Sequence, residues 1–358
     1  MVSGCTSLVK GKHEGKDPYG HAWPEGSLAA SLVGKPICNG WFDATIWLLA
    51  HDQDYGANDL GWKHFNAVNC CGWCPANRSN YNVRNVSASA PWKNKLYVAG
   101  PTDSRVSNHI IWTIPGLTRF NHHGDLMHGG DLGPLLGLHA STFNELVSTD
   151  GYYHKHSMDA SIRALWADVL IAYKEVGESK KMQSLTVEMF QKKGTAYPTL
   201  KCKAAESRHL IKAMIVVLRN CSTGSAHDDH RLFAYESIDA MYDLVHSSGL
   251  FLSLAEAALT LQHCEEFFLH VNWLATEAMN AGKMLWGVTT KHHYLWHVAW
   301  FARYQSPRAS WCYQFEDFIG KIQGSGMACT AGTAMHRVPE KVFQNYRLAM
   351  SQLLQHYM

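Results

Sequence analysis

The sequence predicts a mixed α/β fold interrupted by a large helical block. Three patterns along the chain indicate this: short apolar runs among polar loops in residues 1–150, long helical periodicity in residues 151–286, and a shorter mixed stretch in residues 287–358. With 358 residues and 46% hydrophobic side chains, the chain can bury a sizeable core. We therefore expect three successive segments with these boundaries.

The apolar runs 44–50 and 108–114 are short enough to be buried strands between loops. From Met158 onward, apolar residues recur at the spacing of one helix face. Ser253 and Glu256 have the capping-box spacing, and Gly282 suits a helix end. Further helices are predicted at 203–219, 232–246, 254–281, 291–304 and 339–358, with a Gly-rich turn after residue 322.

Composition narrows the possible function classes. Lys plus Arg number 32 against 30 Asp plus Glu, a net charge of +2, which lacks the basic excess that would indicate nucleic-acid binding by charge alone. No run approaches the roughly 18 apolar residues of a membrane span, and the first residues lack a secretory signal's apolar stretch. We expect a soluble, non-secreted protein whose cysteines are thiols or metal ligands.

A cysteine pair and a histidine pair have metal-ligand spacing. Cys71 and Cys74 are separated by two residues, as in half of a zinc site; a redox pair and two core thiols are the alternative interpretations. His293 and His297 are four residues apart and would face the same way on a helix, with His292 as an alternative ligand. Together the pairs predict a structural Zn²⁺ site.

Carboxylates form the third group of candidates. Asp52 directly follows the apolar run 44–50, where α/β folds place catalytic or metal-binding acids, and Asp54 is close to it. A second cluster contains Asp125, His128 and Asp131 in a Gly-rich segment. Glu316 lies in an aromatic stretch.

Several short blocks follow one another between residues 45 and 322. They are His51-Asp52-Gln53-Asp54-Tyr55, Leu60-Gly61, His64-Phe65-Asn66, the pair Cys71 and Cys74, Asp125-Leu126-Met127-His128 before Asp131-Leu132-Gly133, Lys203-Ala204-Ala205-Glu206-Ser207-Arg208, the pair His293 and His297, and Trp311-Cys312-Tyr313-Gln314-Phe315-Glu316. Their order and spacing resemble the transposases of CACTA (En/Spm-type) DNA elements.

The resemblance implies an RNase H-like core, lacking its early strands, with an all-helical insertion. It also implies DNA cleavage and strand transfer with Mg²⁺ or Mn²⁺ held by three acids, of which Asp52 would be the second and Glu316 the third. Only 51 residues precede Asp52, so the first acid is missing from its usual place. Asp125, Asp17 and Asp43 are the candidates to replace it. We expect a truncated or domesticated copy that is catalytically defective, with His128 in support.

Two other functions are compatible with the same residues. One is a non-enzymatic, zinc-stabilised module that binds DNA or protein; the other is a thiol oxidoreductase that uses Cys71. The resemblance further implies a nuclear protein whose DNA binding is weak or lost in this chain. A homo-oligomer is also expected, because a sheet without its early strands would expose an edge.

Overall fold

The described part of the molecule is mostly helical and is not a sheet protein. The computed structural model describes residues 2–17, 19–37, 46, 48–51, 53–59, 61–62, 64, 66–79, 82–96, 110–191 and 196–357. Within them, the α-helices are α1 (Val2–Lys10), α2 (Leu28–Leu32), α3 (Gln53–Asp59), α4 (Pro134–Val147), α5 (Met158–Glu175), α6 (Val187–Phe190), α7 (Ala204–Cys221), α8 (Ala226–Ser247), α9 (Leu254–Asn280), α10 (Thr290–Phe301), α11 (Tyr313–Thr330) and α12 (Val338–Tyr357).

The predicted α/β, RNase H-like fold is wrong. The chain is 60% helical with 2% strand, and the described residues form no sheet. Of the predicted strand at 44–50, Leu49 makes a single bridge to His122. The described part of the run 108–114 is instead a 3-10 helix, Ile110–Thr113, with Ile111 and Ile114 buried. A short apolar run shows that a segment is buried but does not distinguish a strand from a turn of helix.

The predicted helical block is confirmed, because its periodic stretches coincide with α5, α7, α8 and α9. The capping box of α9 is complete: the Glu256 N–H donates to Ser253 Oγ at 3.2 Å, and the Ser253 N–H donates to Glu256 Oε2 at 2.7 Å. Gly282 follows the helix with φ +66°, a conformation that favours glycine. No helix of the described residues is long and apolar enough to cross a membrane.

Two compact units divide the chain, Met1–Trp311 and Cys312–Met358. In the first unit, α4, α5 and α7 to α10 surround one continuous core whose fully buried aromatic residues include Phe143, Tyr235 and Phe267. The irregular segments 66–79 and 82–96 add Cys70, Trp73 and Trp92 to that same core. Through this packing, segment 66–79, the cysteine segment with Cys71 and Cys74, lies against the helices of the first unit.

The second unit is a helical hairpin of α11 and α12. The predicted Gly-rich turn after residue 322 is wrong, because α11 continues through Gly324 and Gly326 to Thr330. A Cβ on Gly326 would lie 3.9 Å from Val342 Cγ2 of α12. A Cβ there would make only an ordinary van der Waals contact with α12, so the glycines neither interrupt α11 nor are required by its packing.

A buried carboxylate joins three segments of the first unit. Glu145 on α4 accepts hydrogen bonds from His227 Nε2 at 2.9 Å, Arg231 Nη1 at 3.2 Å and Trp286 Nε1 at 3.0 Å. Burial raises the pKa of Glu145, but His227, Arg231 and Trp286 outweigh it and hold that pKa below its ordinary value. Trp286 has φ +57°, so this network holds a strained link between α9 and α10.

We predict that Glu145→Ala destabilises the protein by about 1–3 kcal/mol, since it removes the acceptor of His227, Arg231 and Trp286, while Arg231 keeps its ion pair with Asp228. Glu236→Ala is the matched control: Glu236 pairs with Arg219 on the surface at 2.6 Å and should cost at most about 1 kcal/mol. Urea denaturation at neutral pH measures both free energies of unfolding.

The lowered pKa of Glu145 also determines how its contribution to the free energy of unfolding varies with pH. A carboxyl whose pKa is lower in the folded state stabilises the protein above its unfolded value, near 4.5, and this stabilisation is lost as pH falls through the folded pKa. The gap between wild type and Glu145→Ala should therefore narrow below about pH 4.5. Equal free energies of unfolding for the two alanine variants at pH 7 would contradict the prediction.

Candidate metal centre

Two thiols and two imidazoles converge at the centre of the first unit. Cys71 Sγ lies 3.4 Å from His297 Nε2, Cys74 Sγ lies 3.4 Å from His293 Nε2, and the two sulfurs are 3.6 Å apart. The two Nε2 atoms are separated by 3.1 Å. All four residues are buried, with ligand atoms within 4.8 Å of one another. The predicted convergence of these residues is confirmed.

Local structure sets each pair in place. His293 and His297 are one helical turn apart on α10, so their rings point to the same side. Cys71 and Cys74 lie in the irregular segment 66–79, where the Trp73 N–H donates to Cys71 Sγ at 3.3 Å. Tyr294 on α10 donates its hydroxyl hydrogen to the Cys70 carbonyl. This hydrogen bond ties the cysteine segment to the histidine helix beside the ligands.

The spacing fits a tetrahedral ion. With Zn–S near 2.3 Å and Zn–N near 2.0 Å, tetrahedral edges are about 3.8 Å between sulfurs, 3.5 Å between sulfur and nitrogen, and 3.3 Å between nitrogens. The observed 3.6, 3.4 and 3.1 Å reproduce this order, each a little shorter. Two thiolates and two neutral imidazoles would also neutralise a divalent charge. The group can therefore hold a metal ion such as zinc.

The cluster's electrostatics favour one thiolate before any metal binds. Burial raises the pKa of Cys71, but the hydrogen bond from Cys74 and the nearby His297 and His293 outweigh burial and hold it well below its ordinary value. Burial and the hydrogen bond to Cys71 raise the pKa of Cys74. Burial lowers the pKa of His297, whereas the adjacent Cys71 opposes this shift.

Aromatic rings enclose the four ligands. Trp92 lies 4.2 Å from the His293 ring at 69°, and Trp73 lies 5.1 Å from the His297 ring. The Nδ1 atoms of His293 and His297 are buried and have no hydrogen-bond partner among the described residues. The rings are therefore oriented by packing rather than by the usual hydrogen bond to a carboxylate or carbonyl.

His292, the alternative ligand, has another role. Its Nδ1 accepts a hydrogen bond from the Thr289 N–H at 3.1 Å, which completes the capping box of α10. Its buried ring lies parallel to Phe267, with centroids 6.3 Å apart. His292 thus fixes the start of the helix that carries His293 and His297.

The predicted acidic and imidazole cluster is formed mainly by local hydrogen bonds. Asp125 accepts from the Met127 N–H at 3.0 Å and the His128 N–H at 3.1 Å, and it pairs with His128 Nδ1. These bonds begin the short π-helical turn Met127–Asp131. Asp131 is fully buried and accepts from the Tyr242 hydroxyl. His128 is a hydrogen-bonding partner, as we expected of a supporting residue.

The remaining predicted acids that the structure describes, Asp54 and Glu316, are exposed. Asp52 lies outside the described residues. Asp54 is exposed on α3 and faces His64 Nε2 at 3.5 Å. Glu316 is exposed on α11, in the second unit. The convergence of Asp52 with Glu316 stays a prediction.

A cavity of about 190 Å³ adjoins the metal-ligand group. Trp73 from the cysteine segment and Tyr294 and Val298 from α10 form part of its wall. The other lining residues are Trp62, His51, Asp54, His123, Gly124, Asp125, His128, Gly129 and Lys291. Residue patterns indicated Asp54, Asp125 and His128, and Lys291 begins the block Lys291-x-His293-x-x-x-His297 that resembles the paired-His motif of the transposases. Trp62 belongs to no motif.

Comparison of the chain with protein-family models, with curated proteins and with solved structures finds no match in any of the three. Function is therefore inferred from the geometry of the metal-ligand group and of the adjoining cavity.

We predict that Gly124→Ala disturbs both the metal-ligand group and the adjoining cavity. A Cβ at Gly124 would lie 2.7 Å from Val298 Cγ2, one residue beyond His297 on α10, and overpacking of this kind costs about 1–3 kcal/mol. Gly137→Ala on α4 is the control, because no heavy atom lies within 4 Å of its Cβ and helix propensity should stabilise it by about 0.5–1 kcal/mol.

A double-mutant cycle with Val298→Ala tests the named contact. Removing the Val298 methyl groups opens space for the new Cβ, so the double variant should cost less than the sum of the two single variants. Strict additivity in urea denaturation would rule out the proposed clash.

Proposed function

We propose that the protein is a non-enzymatic binding module held together by a structural zinc ion. The observation that carries this proposal is that all four positions around the candidate ion are filled by buried protein ligands, Cys71, Cys74, His293 and His297. Structural zinc sites have four protein ligands, whereas catalytic sites keep one position for water or substrate. A closed site of this kind supplies stability rather than a reaction centre.

The two thiolates and two imidazoles of the site favour zinc over Mg²⁺ and Mn²⁺. Thiolate sulfur suits zinc and is a poor ligand for Mg²⁺ and Mn²⁺, which prefer oxygen. The role of Mg²⁺ or Mn²⁺ that the transposase resemblance implies stays a prediction, as does DNA cleavage. The non-enzymatic proposal does not depend on either.

The adjoining cavity is the proposed ligand site. Its walls include Trp73, Tyr294 and Val298, which lie within one or two residues of metal ligands, so an ion that joins the two segments also assembles the cavity. At about 190 Å³ it is smaller than the roughly 300–1,000 Å³ of sites that enclose a drug-sized molecule. It suits one inserted side chain of a protein partner, with the indoles of Trp62 and Trp73 as its apolar surface.

Charge makes a protein partner preferable to DNA. The net charge of +2 provides little of the phosphate neutralisation that drives nucleic-acid binding. Filter retention of duplex DNA should therefore be weak at physiological salt. Retention that is strong and falls steeply with salt would favour the DNA-binding form of the module instead.

Zinc content of the purified protein tests the structural role. We expect about one zinc per chain in wild type and in Cys70→Ala, which removes an adjacent buried thiol outside the cluster, and substantial loss in Cys71→Ala and His297→Ala. Chelation should lower the thermal midpoint of wild type and of Cys70→Ala only. Because the ligands bind metal when deprotonated, bound zinc should be released as the pH falls.

The same preparations test the absence of catalysis. Zinc-loaded wild type should neither nick plasmid DNA with Mn²⁺ nor reduce a disulfide substrate. Either activity, if lost in Cys71→Ala but retained in Cys70→Ala, would show that the closed-site argument is wrong. A wild type without zinc whose midpoint is unaffected by chelators would contradict the structural role itself.

A further inference from the structure

A second pair of imidazoles meets on the outer face of the helical bundle, away from the Cys and His cluster. His230 on α8 and His270 on α9 place their Nδ1 atoms 2.9 Å apart. Both side chains are half-buried, so the two nitrogens are held by packing yet lie near solvent. We propose that His230 and His270 form a surface site for a nitrogen-preferring divalent transition-metal ion, Cu²⁺ or Ni²⁺.

The helix pair presents both rings from a rigid support. Helices α8 and α9 are joined by a short link and pack against each other along much of their length, and both contribute to the main core. The His230 ring stacks on the Trp273 indole, with centroids 4.0 Å apart and planes 5° apart. The Phe233 ring lies 5.5 Å from the His270 ring on the other side. Both imidazoles thus have restricted orientations before any ion binds.

The spacing between the two nitrogens indicates the coordination geometry. With metal–nitrogen bonds of about 2.0 Å, adjacent ligands are about 2.8 Å apart in a square plane and about 3.3 Å apart in a tetrahedron. The observed 2.9 Å is close to the square-planar value. Square-planar or tetragonal coordination by nitrogen and oxygen is typical of Cu²⁺ and Ni²⁺.

The surroundings of the pair allow a cation to bind. Burial lowers the pKa of His230 and of His270, and a neighbouring imidazole lowers each further, His227 for His230 and His230 for His270; both shifts favour the neutral form that binds metal. Glu266 precedes His270 by one helical turn and interacts favourably with it, while Asp229 does the same for His230. The carboxylate of Glu266, now paired with His263 Nδ1 at 2.8 Å, could add an oxygen ligand.

This site and the buried cluster differ in chemistry. The buried group has thiolates and four protein ligands, whereas the surface pair has two nitrogens and positions for water. An ion at the surface pair would cross-link α8 and α9, which adds stability that rises with the logarithm of its concentration relative to its dissociation constant.

The test is a titration of the zinc-loaded full chain with Cu²⁺ in the presence of glycine, which suppresses binding by single surface histidines. Wild type should bind one Cu²⁺ with nitrogen splittings in its electron paramagnetic resonance spectrum. Because the two ligands act together, His230→Ala and His270→Ala should each weaken this binding by at least about 100-fold. His336→Ala, an exposed histidine between α11 and α12, is the control and should leave it unchanged.

Fluorescence provides a readout that does not require a histidine variant to fold. Cu²⁺ bound at His230 should quench the stacked Trp273, so Trp273→Phe should lose that part of the quenching. Zinc content should be the same in all variants. Equal Cu²⁺ affinity in wild type, His230→Ala and His270→Ala, or no loss of quenching in Trp273→Phe, would overturn the proposal.

Discussion

The first unit depends on one constraint: the ligand atoms of Cys71, Cys74, His293 and His297 must all lie close to one point. Cys71 and His297 are separated by 226 residues, yet their ligand atoms are 3.4 Å apart. Bringing such distant segments together has a large entropic cost. Buried thiols and imidazoles recover little of this by themselves, since unpaired polar groups in a core are costly. A divalent ion would supply the missing attraction and neutralise both thiolates, so the metal and the packing stabilise the same arrangement.

The core around these four ligands holds α10, the helix that carries His293 and His297, in one position. The capping box of His292 and Thr289 sets the first turn of α10, and Tyr294 reaches the carbonyl of Cys70. The link that leads into α10 contains Trp286, whose indole is held by Glu145. Each of these contacts is local and modest in energy, but together they fix the rotation of α10. A small rotation would move both Nε2 atoms out of reach of the sulfurs.

The position of the cavity walls beside the metal ligands also connects the stability of the first unit with the proposed binding of a partner. Because Trp73 lies between the two cysteines and Tyr294 and Val298 flank the histidines, the wall of the cavity cannot form independently of the metal-ligand group. The polar side of the cavity is supported separately, by the hydrogen bonds of Asp125 and His128 at the start of a π-helical turn. A module of this type needs no exchangeable metal position to recognise a partner.

The sequence by itself determined the elements that depend on local periodicity and on ligand chemistry. The helices of the central block, the capping box at Ser253 and the pairing of Cys71 and Cys74 with His293 and His297 follow from spacing, because helix geometry and metal coordination each allow few arrangements. The fold class was predicted wrongly, since apolar runs such as 108–114 show burial without showing backbone conformation, and Gly324 and Gly326 suggested a turn within what is one helix.

Only the tertiary structure decided which of several equivalent groups act together. His292 and His293 are equally suitable ligands by spacing, but the orientation of α10 turns His292 toward its own N-terminus and His293 toward Cys74. The cavity beside the metal-ligand group is lined by residues from separate segments. His230 and His270 likewise come from different helices. No local pattern encodes such contacts, because they depend on how whole helices pack, and that packing is set by the sum of many core contacts rather than by any one motif.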